Sequence, residues 1–90
     1  LSTVKSMDKN IGRMLDYLEK HNLKDNTIII YLSDQGFYMG EHGWFDKRWM
    51  YEESFRTPMI VSYPKLFPKG TTNDDFVLNI DLAPTFLELA

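Results

Sequence analysis

The sequence predicts an α/β fold: a helix, a buried strand, a long loop, a second strand and a closing helix, part of a mostly parallel sheet flanked by helices. Three observations predict it. Val4, Met7, Ile11, Leu15 and Leu18 recur at spacings of three and four, the stripe of an amphipathic helix. Ile28-Ile29-Ile30, set between Thr27 and Tyr31-Leu32, is a β-prone run without polar alternation, as a strand covered on both faces requires. Met59-Ile60-Val61-Ser62-Tyr63 is a second apolar run, bounded by Pro58 and Pro64, which suit a strand's ends and not its middle.

In the first helix Met14 widens the apolar stripe, while Lys5, Asp8, Lys9, Asp16 and Glu19 fall largely on the opposite side. Ser2 or Thr3 can cap its start, and His21-Asn22 can end it, because Asn tolerates the left-handed backbone found there. Lys24-Asp25-Asn26 reads as the turn into the strand. Helix, short turn and buried strand make half of a βαβ unit, so the strand before the helix is expected upstream of Leu1. From Ser33 to Thr57 the periodicity disappears. Gly36, Gly40 and Gly43 punctuate this stretch, and Phe37, Tyr38, Trp44, Phe45, Trp49, Tyr51 and Phe55 give it too many large aromatics for disorder. A long irregular segment of that kind reads as a functional loop. One helical turn is expected between Arg48 and Ser54. Lys65 to Asp75 is a polar connection, and Phe76 to Asn79 a short strand or extended approach. Asp81 then caps a helix that carries Pro84 in its first turn and Leu82, Phe86 and Leu89 on one face.

Composition narrows the function classes. With 43% hydrophobic and 26% charged residues, 10 basic against 13 acidic, the chain is too apolar and too weakly charged for intrinsic disorder. A net charge of -3 without a basic block excludes a nucleic-acid binder, which would need clustered Lys and Arg. The longest apolar run, Ile28 to Leu32, is far short of the roughly 20 residues of a membrane helix. Cysteine is absent, so there is no disulfide, no thiolate metal site and no Cys nucleophile. The chain opens at Leu1 without Met and stops at Ala90 inside a helical pattern. Residues 1–90 are therefore expected to be a segment truncated at both ends, and the absence of a visible signal peptide carries no information.

Ligands of open α/β sheets sit outside the carboxyl ends of the strands, where Ser33-Asp34-Gln35-Gly36 falls. The Asp34 carboxylate and Gln35 amide are hard oxygen donors of the kind Ca²⁺ or Mg²⁺ takes. Spacing alone favours a simpler use, hydrogen-bonding the loop's own N–H groups, since Ca²⁺ needs about 6–8 oxygens. Further on, His42, Lys47 and Arg48 place three potential cations in one aromatic loop, suited to an anionic oxyanion. The bland reading pairs Lys47 and Arg48 with Glu41, Asp46 or Glu52. The aromatics themselves could stack on sugar rings or anchor the loop, and anchoring is the commoner use.

Taken together, Ile28 to Gly36 (Ile-Ile-Ile-Tyr-Leu-Ser-Asp-Gln-Gly), Gly40-Glu41-His42-Gly43, Asp46-Lys47 and Arg56-Thr57-Pro58 resemble the sulfatase family of the alkaline-phosphatase superfamily. Asn79-Ile80-Asp81-Leu82-Ala83-Pro84-Thr85 is similar to a segment these enzymes carry further downstream, and Met7-Asp8 with Ile11-Gly12 to their preceding helix. The resemblance spans essentially the whole chain. Asp46-Lys47-Arg48 and the Asn79–Thr85 run lean towards the glucosamine-6-sulfatase-like branch. It implies that residues 1–90 are part of a sulfatase catalytic domain, that Asp34 and Gln35 are its second pair of Ca²⁺ ligands, and that Lys47 contacts the sulfate. His42 is implied as a substrate or supporting contact, and Glu53, Arg56 and Pro58 as residues that shape the loop and the next strand. Sulfated sugars or aryl sulfates are the implied substrates, and a secreted, periplasmic or lysosomal location the implied compartment.

One departure governs what the chain can do. The family's nucleophile is a formylglycine made from the first residue of a Cys/Ser-x-Pro-x-Arg motif, and the nearest match, Ser62-Tyr63-Pro64-Lys65-Leu66, has Leu66 where Arg belongs. No catalytic nucleophile is assigned here. The formylglycine, the first metal carboxylates and the leaving-group His are expected upstream, so the chain by itself is expected to be inactive. Two other readings remain open: a phosphate or phosphonate ester hydrolase of the same superfamily, and a non-catalytic sugar- or calcium-binding module.

Overall fold

The computed structural model describes residues 1–90, which divide into two compact units, Leu1–Tyr31 with Ile60–Lys69 and Leu32–Met59 with Gly70–Ala90. In the first unit, helix α1 spans Ser2–Lys20, so Leu1 stands at the N-cap in place of the expected Ser2 or Thr3. Asn22 ends the helix as expected, with a left-handed φ of 55°. Its N–H donates to the Glu19 carbonyl at 3.2 Å and the Leu23 N–H to the Leu18 carbonyl at 2.9 Å, the paired bonds of a Schellman closure. A 3₁₀ turn, Lys24–Asn26, leads to strand β1, Ile29–Leu32. The Thr27 hydroxyl donates back to the Leu23 carbonyl at 2.6 Å, and the Lys65 ammonium reaches the Asn26 amide oxygen at 2.7 Å.

In the second unit, strands β2 (Tyr38–Met39) and β3 (Phe45–Asp46) form an antiparallel hairpin with Tyr38 opposite Asp46 and Met39 opposite Phe45. Helix α2 is one turn, Glu52–Phe55, close to where the sequence placed it. Strand β4, Met59–Ser62, lies mostly in the first unit and pairs there with β1. Phe76–Leu78 is an extended approach and not a strand; it enters a 3₁₀ turn, Asn79–Asp81, and then helix α3, Leu82–Leu89. The Asp81 carboxylate turns back to accept the Leu78 N–H at 2.9 Å, and its carbonyl takes the Thr85 hydroxyl at 2.6 Å.

The order helix, strand, loop, strand, helix is observed, and the fold is α/β. The strands do not join into one sheet. They make two two-stranded sheets, β1 with β4 and β2 with β3. The five residues joining β2 to β3 leave no room for the crossover that a parallel pair demands, so that pair must be antiparallel. Nor is β1 buried on both faces: Ile29 and Ile30 are half-buried, while Tyr31 and Leu32 are exposed. The stripe residues Val4, Met7, Ile11 and Leu15 line, with Ile29 and Ile60, an open apolar groove of about 620 Å³, so α1 does not close over the strand. Tyr38 is the one fully buried large side chain. No helix is long and apolar enough to cross a membrane.

Candidate functional site

Asp34 and Gln35 follow β1 directly, and the turn they occupy is held by other residues. The Ser33 hydroxyl donates to the Gln35 carbonyl at 2.8 Å, and the Asn79 side-chain amide reaches the Ser33 and Asp34 carbonyls at 3.4 Å each. The Gly36 N–H donates to the Ser54 carbonyl at 2.8 Å. Neither the Asp34 carboxylate nor the Gln35 amide makes a hydrogen bond or ion pair, so the capping role that spacing favoured falls to Ser33 and Asn79. One carboxylate and one amide oxygen, both uncommitted, fit a hard cation as two ligands of a larger set. No cluster of three or more carboxylate or imidazole groups gathers around them, so a complete cation site would need further donors.

The β2–β3 connection carries His42. Gly40 at φ 123° and Gly43 at φ 73° let the chain reverse, and His42 itself sits at φ 57°. The Glu41 carboxylate accepts the Met39 N–H at 2.6 Å; its own N–H and that of Met39 hold its pKa below the ordinary carboxylate value. The His42 ring stacks on Tyr51 at 5.0 Å and meets Tyr38 edge-on at 6.4 Å. Its Nε2 lies 3.1 Å from Glu53 Oε1, while Glu53 Oε2 is buried with no partner. Beneath the ring, the Tyr38 hydroxyl donates to the Trp49 carbonyl at 3.3 Å. Burial pushes the Tyr38 phenol above its usual pKa, and the Glu53 carboxylate adds to the shift.

Lys47 leaves β3 with its ammonium exposed and in no ion pair. The expected charge pairing holds for Arg48, whose Nε meets the Asp46 carboxylate at 3.2 Å, and not for Lys47. What fixes Lys47 is its backbone: the carbonyl accepts the Ser54 hydroxyl at 2.6 Å. Trp44 and Trp49 lie against each other at 4.2 Å with both indoles about half exposed, so Tyr38 and not the tryptophans anchors this loop.

The segments bearing Gln35, His42 and Lys47 thus all fasten to α2, through Ser54 and Glu53. The family resemblance implies a loop-shaping role for Glu53, while nothing in the sequence marks Ser54 or a task for Asn79. No periodicity or spacing marks Ser54, a small polar residue inside Glu52-Glu53-Ser54-Phe55.

Residues 40–90 match the family model described as N-sulphoglucosamine sulphohydrolase, C-terminal. The N-acetylglucosamine-6-O-sulfatase of Bacteroides thetaiotaomicron is 59% identical over 90 residues, 100% of this chain and 16% of that protein. The N-acetylglucosamine-6-sulfatase of Homo sapiens is 36% identical over 89 residues, 98% of this chain and 16% of that one. A solved structure of a protein in complex with its substrate D-glucosamine-2-N,6-O-disulfate superimposes with a TM-score of 0.92 at 59% identity, covering 96% of this chain and 17% of that chain. The chain spans under a fifth of the length of these relatives.

Proposed function

This chain belongs to the sulfatase family, and from that membership we infer that it forms part of the active site of an enzyme that hydrolyses sulfate esters, with a sulfated glucosamine as the favoured substrate. The observation that carries this reading is the 59% identity over the whole chain to an N-acetylglucosamine-6-O-sulfatase. On the reading, Asp34 and Gln35 supply two oxygens to a Ca²⁺ ion, and the exposed Lys47 ammonium supplies positive charge to the sulfate. A bound Ca²⁺ contributes charge that neutralises sulfate oxygens. Charge fixed in advance where negative charge develops is commonly the largest catalytic term, and it explains why Lys47 is left without an acidic partner. His42 presents an imidazole, oriented by Tyr51 and Glu53, as a hydrogen-bonding group for substrate. The mostly parallel, helix-flanked sheet expected from the sequence belongs to this reading too, built from more strands than β1 and β4.

The nucleophile is assigned to none of these residues. Cysteine is absent, and Ser62 lies on β4 beside the apolar groove with Leu66 in place of the required Arg. The test uses the full-length protein. Lys47→Ala is expected to lower kcat/KM on a sulfate ester by about 10²–10³-fold, the scale of losing one preorganised charge partner. Unchanged kcat/KM would remove Lys47 from the site. Faster turnover of the matched phosphate ester than of the sulfate ester would transfer the chain to a phosphoesterase of the same superfamily.

A further inference from the structure

We propose that α2 is the positioning element of this site, with Ser54 setting Lys47 and the Gly36 turn, and Glu53 orienting His42. The proposal rests on the sulfatase reading for what Lys47 and His42 do, and adds what holds them in place. α2 is only one turn long, yet three separate loop segments fasten to it. The Ser54 hydroxyl donates to the Lys47 carbonyl at 2.6 Å, and the Ser54 carbonyl accepts the Gly36 N–H at 2.8 Å. One buried residue, 8% exposed, therefore locks the Lys47 segment to the turn that follows Asp34-Gln35. The adjacent Glu53 carboxylate meets His42 Nε2 at 3.1 Å, and Tyr51, just before α2, stacks on the same ring.

A single helical turn suits this task because its last carbonyls have no partners within the helix. The Arg56 N–H takes the Glu52 carbonyl at 2.7 Å, which leaves the Ser54 carbonyl for Gly36. Gly36 has no alternative there: an added Cβ would land on the Glu53 carbonyl oxygen, with that carbonyl's carbon at 2.8 Å. Close approach of the Asp34-Gln35-Gly36 turn to α2 is therefore built into both partners.

If Ser54 acts through Lys47, its loss should matter only while the ammonium is present. The experiment measures kcat and KM on an aryl sulfate for the full-length protein and its Ser54→Ala, Lys47→Ala and double variants. Ser54→Ala is expected to lower kcat/KM about tenfold, mostly in kcat, because a displaced charge weakens the transition state more than ground-state binding. In the Lys47→Ala background the same substitution should cost nothing further. Full activity of Ser54→Ala, or losses that multiply in the double variant, would overturn the proposal and leave the sulfatase reading standing. An unaffected Lys47→Ala would overturn the proposal and remove Lys47 from the site, and turnover of the aryl sulfate would still leave the sulfatase reading standing. Should Ser54→Ala fail to fold, Glu53→Gln at the more exposed end of α2 carries the test. It is expected to match His42→Ala in its loss of kcat/KM and to add nothing to it, and independent losses would overturn the proposal.

Discussion

The unit built on α1 is the most regular part of the molecule, and the loop between β1 and β4 the least regular, yet burial runs the opposite way. α1 extends over 19 residues with a clean apolar stripe and buries none of them. The loop has two-residue strands and one helical turn, and it contains both buried residues, Tyr38 and Ser54. Periodicity says which face of an element is apolar; it does not say what covers that face. The loop is ordered by another means, side chains that hydrogen-bond distant backbone, each bond satisfying a group that would otherwise be desolvated at a cost of about 1–3 kcal/mol.

Two glycines turn this contrast into measurements, and the larger effect belongs to the loop. Gly36→Ala places a methyl on the Glu53 carbonyl, so either the turn or α2 must move. The expected cost is about 1–3 kcal/mol of local stability, the usual scale for overpacking. Hydrogen exchange across residues 34–36 and 52–55 of the full-length protein would report it as lost protection. Exchange indistinguishable from the parent protein would show that the loop yields easily and that its order does not come from close approach.

Gly12→Ala tests the regular unit and should go the other way. Gly12 lies inside α1 with open space where a Cβ would go. Replacing a mid-helix Gly there is expected to stabilise α1 by about 0.5–1 kcal/mol, through lower backbone entropy in the unfolded chain. Slower amide exchange along α1 would bear this out. Faster exchange would mean that a neighbour in the full-length protein approaches the helix at Gly12, removing the contrast between an open helix and a tightly held loop.

The same contrast explains which features are legible in the sequence. The α1 stripe, its end at Asn22, the turn at Lys24–Asn26 and both longer strands depend on neighbours within a few residues, so local pattern finds them to within a residue or two. The β2–β3 hairpin escapes because two residues per strand are too few to alternate. Asp34, Gln35, His42 and Lys47 stand out through family resemblance more than through spacing. The residues that hold them are invisible for a physical reason: Ser54 acts on a carbonyl 7 positions away and Asn79 on one 45 away. Such bonds leave no periodic trace.

The smallest expected effect concerns the hairpin loop and its dependence on pH. The Glu41 carboxylate accepts its own backbone N–H and that of Met39, and this depresses its pKa in the folded chain. A depressed carboxyl contributes stability above its unfolded pKa, near 4.3, and loses it as pH falls through the lower folded value. Protection of the Met39 amide, corrected for the intrinsic pH dependence of exchange, should therefore be flat from neutrality to about pH 5 and decline below pH 4.3. Glu41→Gln should abolish that decline, since an amide accepts the same bond without titrating in this range. The change will be slight, because the clamp is exposed and solvent screens it. It still separates the two ways this loop is held. Tyr38 and Ser54 fasten it with groups that do not titrate in this acidic range, so its buried side should keep its protection while the Met39–Glu41 edge opens.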